Sequence, residues 1–325
     1  MKRRMPAKVR QPTHITVGKF FELRREELQL RLIGTEQGMN RLISEPTVNR
    51  PGLALAGFYS YFAKKRVQVI GNQEFSYLES LAPAEQQLRF TELCAHEMPC
   101  LILCRGLQLP QELLQVANDA GLAVFQTSMR TMKFINAATL CLELDFAPST
   151  SEHGSMIDVR GIGGLVTGAS GTGKSETVLG LVERGHSLVA DDLVHLRLGE
   201  GREIIGKSPD SGRFYMEVRG LGIINIPALY GISAMRLEKR LDLVVNLVAC
   251  SNPNDFERVG AEQRYTKVLD VDIPFVELPV LPGRDMSLLV EVAALDQKLK
   301  AIGHNSAVEF NRNLLKMLEA KRTSE

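Results

Sequence analysis

Short apolar runs alternate with helical periods through the first third of the chain. Residues 16–33 are amphipathic, with Val17, Phe20 and Phe21 on one side, and the spacing predicts a helix that Gly34 ends. Arg50-Pro51-Gly52 marks a turn, and residues 66–71 read as a strand closed by Gly71. Strand-like runs at 100–104 and 122–126 interleave with helical stretches at 84–97 and 110–120, the order expected of a small α/β domain. Residues 129–144 are apolar at helical spacing, and Ala147-Pro148-Ser149-Thr150-Ser151 is the most linker-like stretch. The domain boundary is therefore expected near residue 130. An α/β domain would occupy 1–130 and a second domain 131–325, with the 129–144 helix leading into the second.

Beyond residue 155 strands dominate. They are expected at 156–160, 164–167, 187–190, 193–198, around 216–218, at 241–248 and at 286–292. The tail turns helical again. Ser306-Ala307-Val308-Glu309 has the form of a capping box, and Phe310, Leu314, Leu315 and Leu318 then share one face. That face is expected to join the chain's own core, with docking as its other use. Gly161-Ile162-Gly163-Gly164 lacks the third glycine of a dinucleotide fingerprint and precedes a strand rather than following one, so it reads as a hairpin turn.

Composition narrows the class. A net charge of +1 on 325 residues argues against a dedicated nucleic-acid binder, and the length suffices for two domains with their own cores. Lys2, Arg3, Arg4, Lys8 and Arg10 form a basic tail without an apolar segment behind it, so no signal peptide is expected. The longest apolar stretches, such as 241–250, fall far short of the ~20 residues a bilayer span needs. A soluble protein without a membrane partner is expected. The 5 cysteines include no CxxC pair and lie mostly within apolar runs, as buried thiols in a reducing cytoplasm would.

One motif carries chemistry. Gly168-Ala169-Ser170-Gly171-Thr172-Gly173-Lys174-Ser175 is a complete GxxxxGK[ST] phosphate-binding loop between an apolar strand, 164–167, and a helical stretch, 176–184, ended by Gly185. Backbone N–H groups in such a loop have no intrahelical acceptor and lie at the positive end of the helix dipole, so they turn towards phosphate oxygens. Lys174 would reach the β- and γ-phosphates, and the Ser175 hydroxyl would join the shell of a bound Mg²⁺.

The reaction depends on the acids nearby. Asp191-Asp192 follows a short strand, 187–190, expected beside the loop's own strand, which would deliver both carboxylates to the sheet edge where ligands of open α/β sheets bind. One would hold Mg²⁺, directly or through water, and the other would take a proton from an attacking hydroxyl. His153, in Ser151-Glu152-His153-Gly154, would orient or tune a neighbouring carboxylate, or serve as an ordinary surface histidine. Arg219 and Arg258 offer guanidinium groups suited to phosphate oxygens, although spacing alone does not select them.

Taken together, these motifs resemble those of the bacterial HPr kinase/phosphorylase family. The similarity includes His153-Gly154, Gly173-Lys174-Ser175-Glu176, Arg184-Gly185-His186 with Ala190-Asp191-Asp192, and Glu217-Val218-Arg219-Gly220-Leu221-Gly222-Ile223-Ile224-Asn225. Phe256-Glu257-Arg258, Pro279-Val280-Leu281-Pro282-Gly283-Arg284 and Glu291-Val292-Ala293-Ala294 extend it, as do Arg50-Pro51-Gly52-Leu53 and 66–71 in the N-terminal part. Glu257 stands where the family often has Asp.

The resemblance implies an enzyme that uses ATP to phosphorylate a serine of the phosphocarrier HPr. It also implies removal of that phosphate by attack of inorganic phosphate, with pyrophosphate as product. The implied architecture is a cytoplasmic homohexamer whose α/β catalytic core is similar to that of phosphoenolpyruvate carboxykinase. By position, Lys174 would bind phosphate, Ser175 and Glu217 would ligate Mg²⁺, and Asp192 would be the base. His153 and Arg258 would complete the site, with Asp191 and Arg219 in support. Pro279, Gly283 and Arg284 would belong to a loop tied mainly to dephosphorylation. Absence of the GxGxxG, HRD and DFG set separates the chain from eukaryotic protein kinases. The rival classes are a P-loop kinase of a small metabolite and a nucleotide-gated binding protein that transfers nothing.

Overall fold

The computed structural model describes residues 9–209, 213–249 and 263–322, with side chains through residue 316. Two compact units emerge, Gln11–Ala147 and Pro148–Glu325, the second joined by Met1–Arg10.

In the N-terminal unit a five-stranded sheet runs in the order Leu30–Leu32, Ala123–Thr127, Cys100–Leu103, Val67–Ile70, Val48–Asn49, with only the first strand antiparallel to its neighbour. Its central strands are mostly apolar because both faces are covered, with Gln68 as a buried polar exception. Val67, Val69, Cys100, Ile102 and Phe125 meet Phe134, Ala138, Cys141 and Leu142 of the helix Thr131–Phe146. The alternate residues Ile70, Leu101, Leu103 and Val124 meet Leu78, Phe90, Leu93 and Leu113 from the helices Asn72–Ser80, Pro83–Cys94 and Gln111–Asp119. Strand period two thus feeds two separate cores.

Two expectations change here. The helix expected to lead into the second domain closes one face of this sheet instead, so the chain divides after Ala147 rather than near residue 130. Helix 16–33 is shorter than its amphipathic pattern. Thr16 caps Val17–Arg24 through Lys19 N–H, the chain reverses at Gln29 (φ 52°), and Leu30–Leu32 pairs with Ala123–Thr127. A free strand edge accepted residues that helical spacing alone assigned to the helix. Cys94, Cys100 and Cys104 are buried with thiols pushed up to about 12 by desolvation, and Cys141 to about 11, which makes them inert. Cys250 lies outside the described residues.

The C-terminal unit is built on a six-stranded sheet ordered Ser187–Ala190, Ser155–Val159, Ile162–Gly168, Leu243–Ala249, Val271–Val280, Arg264–Val268. One face is covered by helices Lys174–Glu183 and Met286–Ala301 and by a hairpin, Tyr215–Val218 with Gly222–Asn225. The other face receives a four-stranded antiparallel sheet ordered Glu238–Arg240, Ile204–Lys207, Leu193–Leu198, Ser149–His153. The linker-like residues from Ser149 onward are therefore strand. The hairpin turn expected at 161–164 falls at Arg160-Gly161, both residues at positive φ, while Ile162, Gly163 and Gly164 already pair as strand with Ser155–Val159.

Strand 187–190 does not lie beside the loop's strand, as the sequence pattern led us to expect. Ser155–Val159 stands between them, antiparallel to both. Residues 286–292, expected as strand, form the first half of a helix capped by Asp285, whose carboxylate accepts from Leu288 N–H at 3.0 Å. Met286, Val290 and Ala294 supply its buried stripe, four residues apart. A run apolar on every side hid that period. The last helix, Ser306–Arg322, is capped by Asn305 through Val308 N–H rather than by Ser306. Its apolar face is not core: Phe310 is 67% exposed, Leu314 45% and Leu315 60%, while the Leu318 side chain lies outside those described. No helix of the described residues is long and apolar enough to cross a membrane.

Because the Phe134 ring is fully buried under the N-terminal sheet, Phe134→Ala should cost roughly 3–5 kcal/mol in a denaturant melt of the full chain. A loss below about 1 kcal/mol would mean the 131–146 helix is not part of that core.

Candidate active site

The phosphate loop leaves the C-terminal end of Ile162–Gly168. Gly168, Gly171 and Gly173 have φ of 154°, 83° and 80°, and a Cβ on Gly168 would lie 2.7 Å from Leu247 O, so both conformation and space require glycine there. Gly173 caps helix Lys174–Glu183, which leaves the first N–H groups of that helix turned into the loop. Lys174 Nζ folds back onto Ala169 O at 3.1 Å, and Thr172 Oγ1 holds the same carbonyl at 2.9 Å. An ammonium bonded, among the described residues, only to its own loop is ready to exchange that carbonyl for a phosphate oxygen.

Two antiparallel steps separate the loop's strand from Ser187–Ala190, so the two run in the same direction and finish at the same edge. The acid pair therefore arrives at the loop despite the intervening strand. Asp191 is half-buried and faces inward. Its Oδ1 accepts from Ser155 Oγ at 2.5 Å and from Ser175 Oγ at 3.5 Å, and backbone N–H groups of Asp192 and Glu217 reach the same carboxyl. Burial pushes the Asp191 pKa above the ordinary carboxylate value, with the Ser155 bond opposing the shift and the Asp192 charge adding to it.

Asp192 is exposed and sits at φ 63°. Leu193 N–H bonds back to Asp191 O at 2.8 Å, which closes a three-residue turn centred on Asp192. Side chains other than glycine pay for that backbone with about 1–3 kcal/mol. The turn gives two sequence neighbours different surroundings, Asp191 beside the serines and Asp192 exposed to solvent.

Other predicted residues gather around this turn. His153 ends its strand in register with Leu193, and Gly154 N–H donates to Asp192 O at 3.0 Å. Gly154 passes so close to Val166 O that a Cβ would lie 2.6 Å from it. Glu217 is on the open side of the 215–218 strand, opposite the buried Met216 and Val218, and its backbone N–H approaches the Asp191 carboxyl. The Arg219 guanidinium comes within 3.8 Å of the place a Cβ on Gly171 would occupy.

Pro279 and Val280 finish a strand parallel to Leu243–Ala249, and Arg284 N–H closes the following turn on Leu281 O at 3.2 Å, with Gly283 at φ 79°. Among the described residues no hydrogen bond or ion pair links Pro279, Gly283 or Arg284 to the phosphate loop. The base of their loop is anchored elsewhere. Arg184 pairs with Asp285 at 2.5 Å and with Glu291 at 3.6 Å, His186 Nε2 lies 3.2 Å from Glu291, and Ser287 Oγ donates to Thr177 O at 2.9 Å. The Leu288 N–H and then Arg184 hold the Asp285 carboxyl below the usual range. Arg258 lies outside the described residues.

Two family models cover the chain almost end to end: HPr Serine kinase N terminus over residues 15–142 and HPr Serine kinase C-terminal domain over 144–314. The chain belongs to the HPr serine kinase family. Proteins named HPr kinase/phosphorylase from Halalkalibacterium halodurans and Bacillus pumilus are each 40% identical to it over 294 residues, 90% of this chain and 95% of theirs. A solved Hpr(Ser) kinase/phosphatase from Coxiella burnetii is 31% identical, covers 50% of this chain and 98% of its own, and superposes with a TM-score of 0.45.

In this HPr serine kinase family member, sequence reasoning overlooked Ser155. A serine opening an apolar strand carries no motif, and only the pairing of three strands brings its hydroxyl to Asp191. Two outcomes follow from the acid turn. Asp192→Gly should be more stable than Asp192→Ala by about 1 kcal/mol, since only glycine relieves a positive φ; equal stability would exclude the strained turn. Asp191 has a raised folded-state pKa, so its ionised form costs the fold stability above its unfolded pKa, and the cost fades as pH falls through the carboxylate range. Without divalent metal, Asp191→Asn should therefore raise the melting temperature at pH 8, by a margin that shrinks on acidification.

Proposed function

We propose that the chain is a bifunctional enzyme that transfers phosphate from ATP to a serine of HPr and removes it again with inorganic phosphate, releasing pyrophosphate. The observation that carries this reading is the acid pair at the mouth of the phosphate loop, one carboxylate against Ser175 and the other free to meet an acceptor. The 40% identity to proteins named HPr kinase/phosphorylase supports the choice of HPr as acceptor.

Nucleotide and metal fit the residues present. The positive-φ glycines and the inward N–H groups suit a polyphosphate, and Lys174 has no acidic partner among the described residues. Ser175 Oγ and Asp191 Oδ1 are hard oxygen donors 3.5 Å apart. No group of three or more His, Cys, Asp or Glu side chains converges as a metal site among the described residues. That sparse set matches Mg²⁺, which keeps waters and takes phosphate oxygens rather than a protein cage. Ser175 and Glu217 would hold it, with Asp191 acting through water. When bound it neutralises charge on the β- and γ-oxygens.

The protein's own groups do the rest. Asp192 takes the proton of the HPr serine hydroxyl as its oxygen attacks phosphorus in line, and Lys174 offsets the charge spreading over the transferred group. In the opposite direction an oxygen of inorganic phosphate attacks, the bond from phosphorus to the serine oxygen breaks, and Asp192 returns the proton to that oxygen. His153 stands beside the acid turn to orient Asp192, and Arg219 and Arg258 supply cations for phosphate oxygens. Pro279, Gly283 and Arg284 shape the loop that favours dephosphorylation. A cytoplasmic homohexamer completes the reading, and exposed Leu221, Ile223, Leu229 and Ile232 provide apolar surface for an assembly to cover.

Incubation with ATP, Mg²⁺ and HPr should add one phosphate to HPr by intact mass, and added inorganic phosphate should then release pyrophosphate. Lys174→Ala should slow both directions about a hundredfold or more. Asp192→Asn should slow both by roughly a hundred- to ten-thousandfold with ATP affinity kept. Transfer to a small alcohol without HPr would make the enzyme a metabolite kinase, and ATP binding without transfer a gated binding protein. Release of free phosphate alone would remove the phosphorylase half.

A further inference from the structure

Ser155 lies outside every motif used so far, yet it is 1% exposed and touches the acid pair. It opens the strand between the other two, abreast of Val166 on the phosphate-loop strand, while its neighbour Met156 faces Ala190 just before the acids. The hydroxyl donates to Asp191 Oδ1 at 2.5 Å, the oxygen that Ser175 Oγ approaches at 3.5 Å. A hydroxyl bonded to an ionised carboxylate at that distance is among the stronger protein hydrogen bonds, and burial removes competing water. One residue earlier, Gly154 N–H holds Asp192 O. Gly154-Ser155 thus grips both acids, the first by backbone and the second by side chain.

We propose that Ser155 is a positioning residue for the phosphoryl-transfer site. Its hydroxyl fixes the Asp191 carboxylate towards Ser175, and so sets where a metal–nucleotide complex is held. Without that bond Asp191 retains its backbone N–H donors but can rotate away from Ser175, because the Oδ1 that faces Ser175 is the one Ser155 fixes. Groups that orient a metal's surroundings at one remove typically change metal affinity or activity 10–100-fold when lost. This inference rests on the phosphate-loop reading for its site but not on HPr as the acceptor.

The test compares Ser155→Cys, which keeps volume and loses the strong donor, with Ser155→Thr, which keeps the hydroxyl. Calorimetry measures ATP binding with Mg²⁺ and with EDTA, beside melting temperature and the kinetics of transfer. For Ser155→Cys we expect unchanged ATP affinity in EDTA, a gain on adding Mg²⁺ that is about tenfold smaller than wild type, and a fall in kcat of similar size with little change in KM for the acceptor. Ser155→Thr should restore the Mg²⁺-dependent gain. An undiminished Mg²⁺ gain in Ser155→Cys would overturn the proposal, as would equal losses in EDTA and Mg²⁺ with a lowered melting temperature. Should wild type bind ATP with a large Mg²⁺ gain yet leave HPr unmodified, the functional reading fails while the Ser155 comparison still stands.

Discussion

Four strands of the C-terminal sheet, ending at Gly168, Ala190, Ala249 and Val280, run in one direction, and the site depends on that shared polarity. Two of them are related through an antiparallel strand, which reverses direction twice and so preserves it. Had Ser187–Ala190 paired directly and antiparallel with the phosphate-loop strand, the acid pair would have emerged at the opposite edge, the length of a strand away from Lys174. The shared edge also explains why Asp191 meets Ser175: the acid pair and the phosphate loop are the exits of two strands that run the same way.

Within that edge the chemistry is bought with local instability. Asp191 is held as a half-buried carboxylate whose desolvation outweighs the hydrogen bonds it receives, and Asp192 occupies a backbone region that favours glycine. Both costs have one use. They keep adjacent residues from sharing an environment, so that one carboxylate stays with the Ser175 hydroxyl and the other is exposed to solvent. The apolar clusters beneath, from Ile157 and Val166 to Leu181, Leu247 and Val290, give the fold the stability that lets such a turn persist.

The N-terminal unit follows a different rule. Its parallel strands are buried on both faces, and their alternation divides side chains between two cores, which fixes register because a one-residue slip would exchange the cores. Its four described thiols are sealed within those cores and take no part in chemistry.

The sequence by itself determined the phosphate loop, because its spacing states a backbone geometry that few other patterns satisfy, and with it Lys174, Ser175, the acid pair and the α/β class. It also announced strands such as Cys100–Leu103, an unbroken apolar run, and Val67–Ile70, β-branched but for Gln68 and closed by Gly71. Tertiary structure alone decided the rest. Local spacing is blind to what covers a face, so 286–292 read as strand until a capping aspartate and a buried stripe made it helix, and 131–146 read as the start of the second domain although it closes a face of the N-terminal sheet. It is equally blind to order across a sheet. Ser155, 20 residues before Ser175 in the sequence, became a neighbour of the acid pair only because three strands paired as they did, and the different surroundings of Asp191 and Asp192 came from a turn whose strain no residue pattern records.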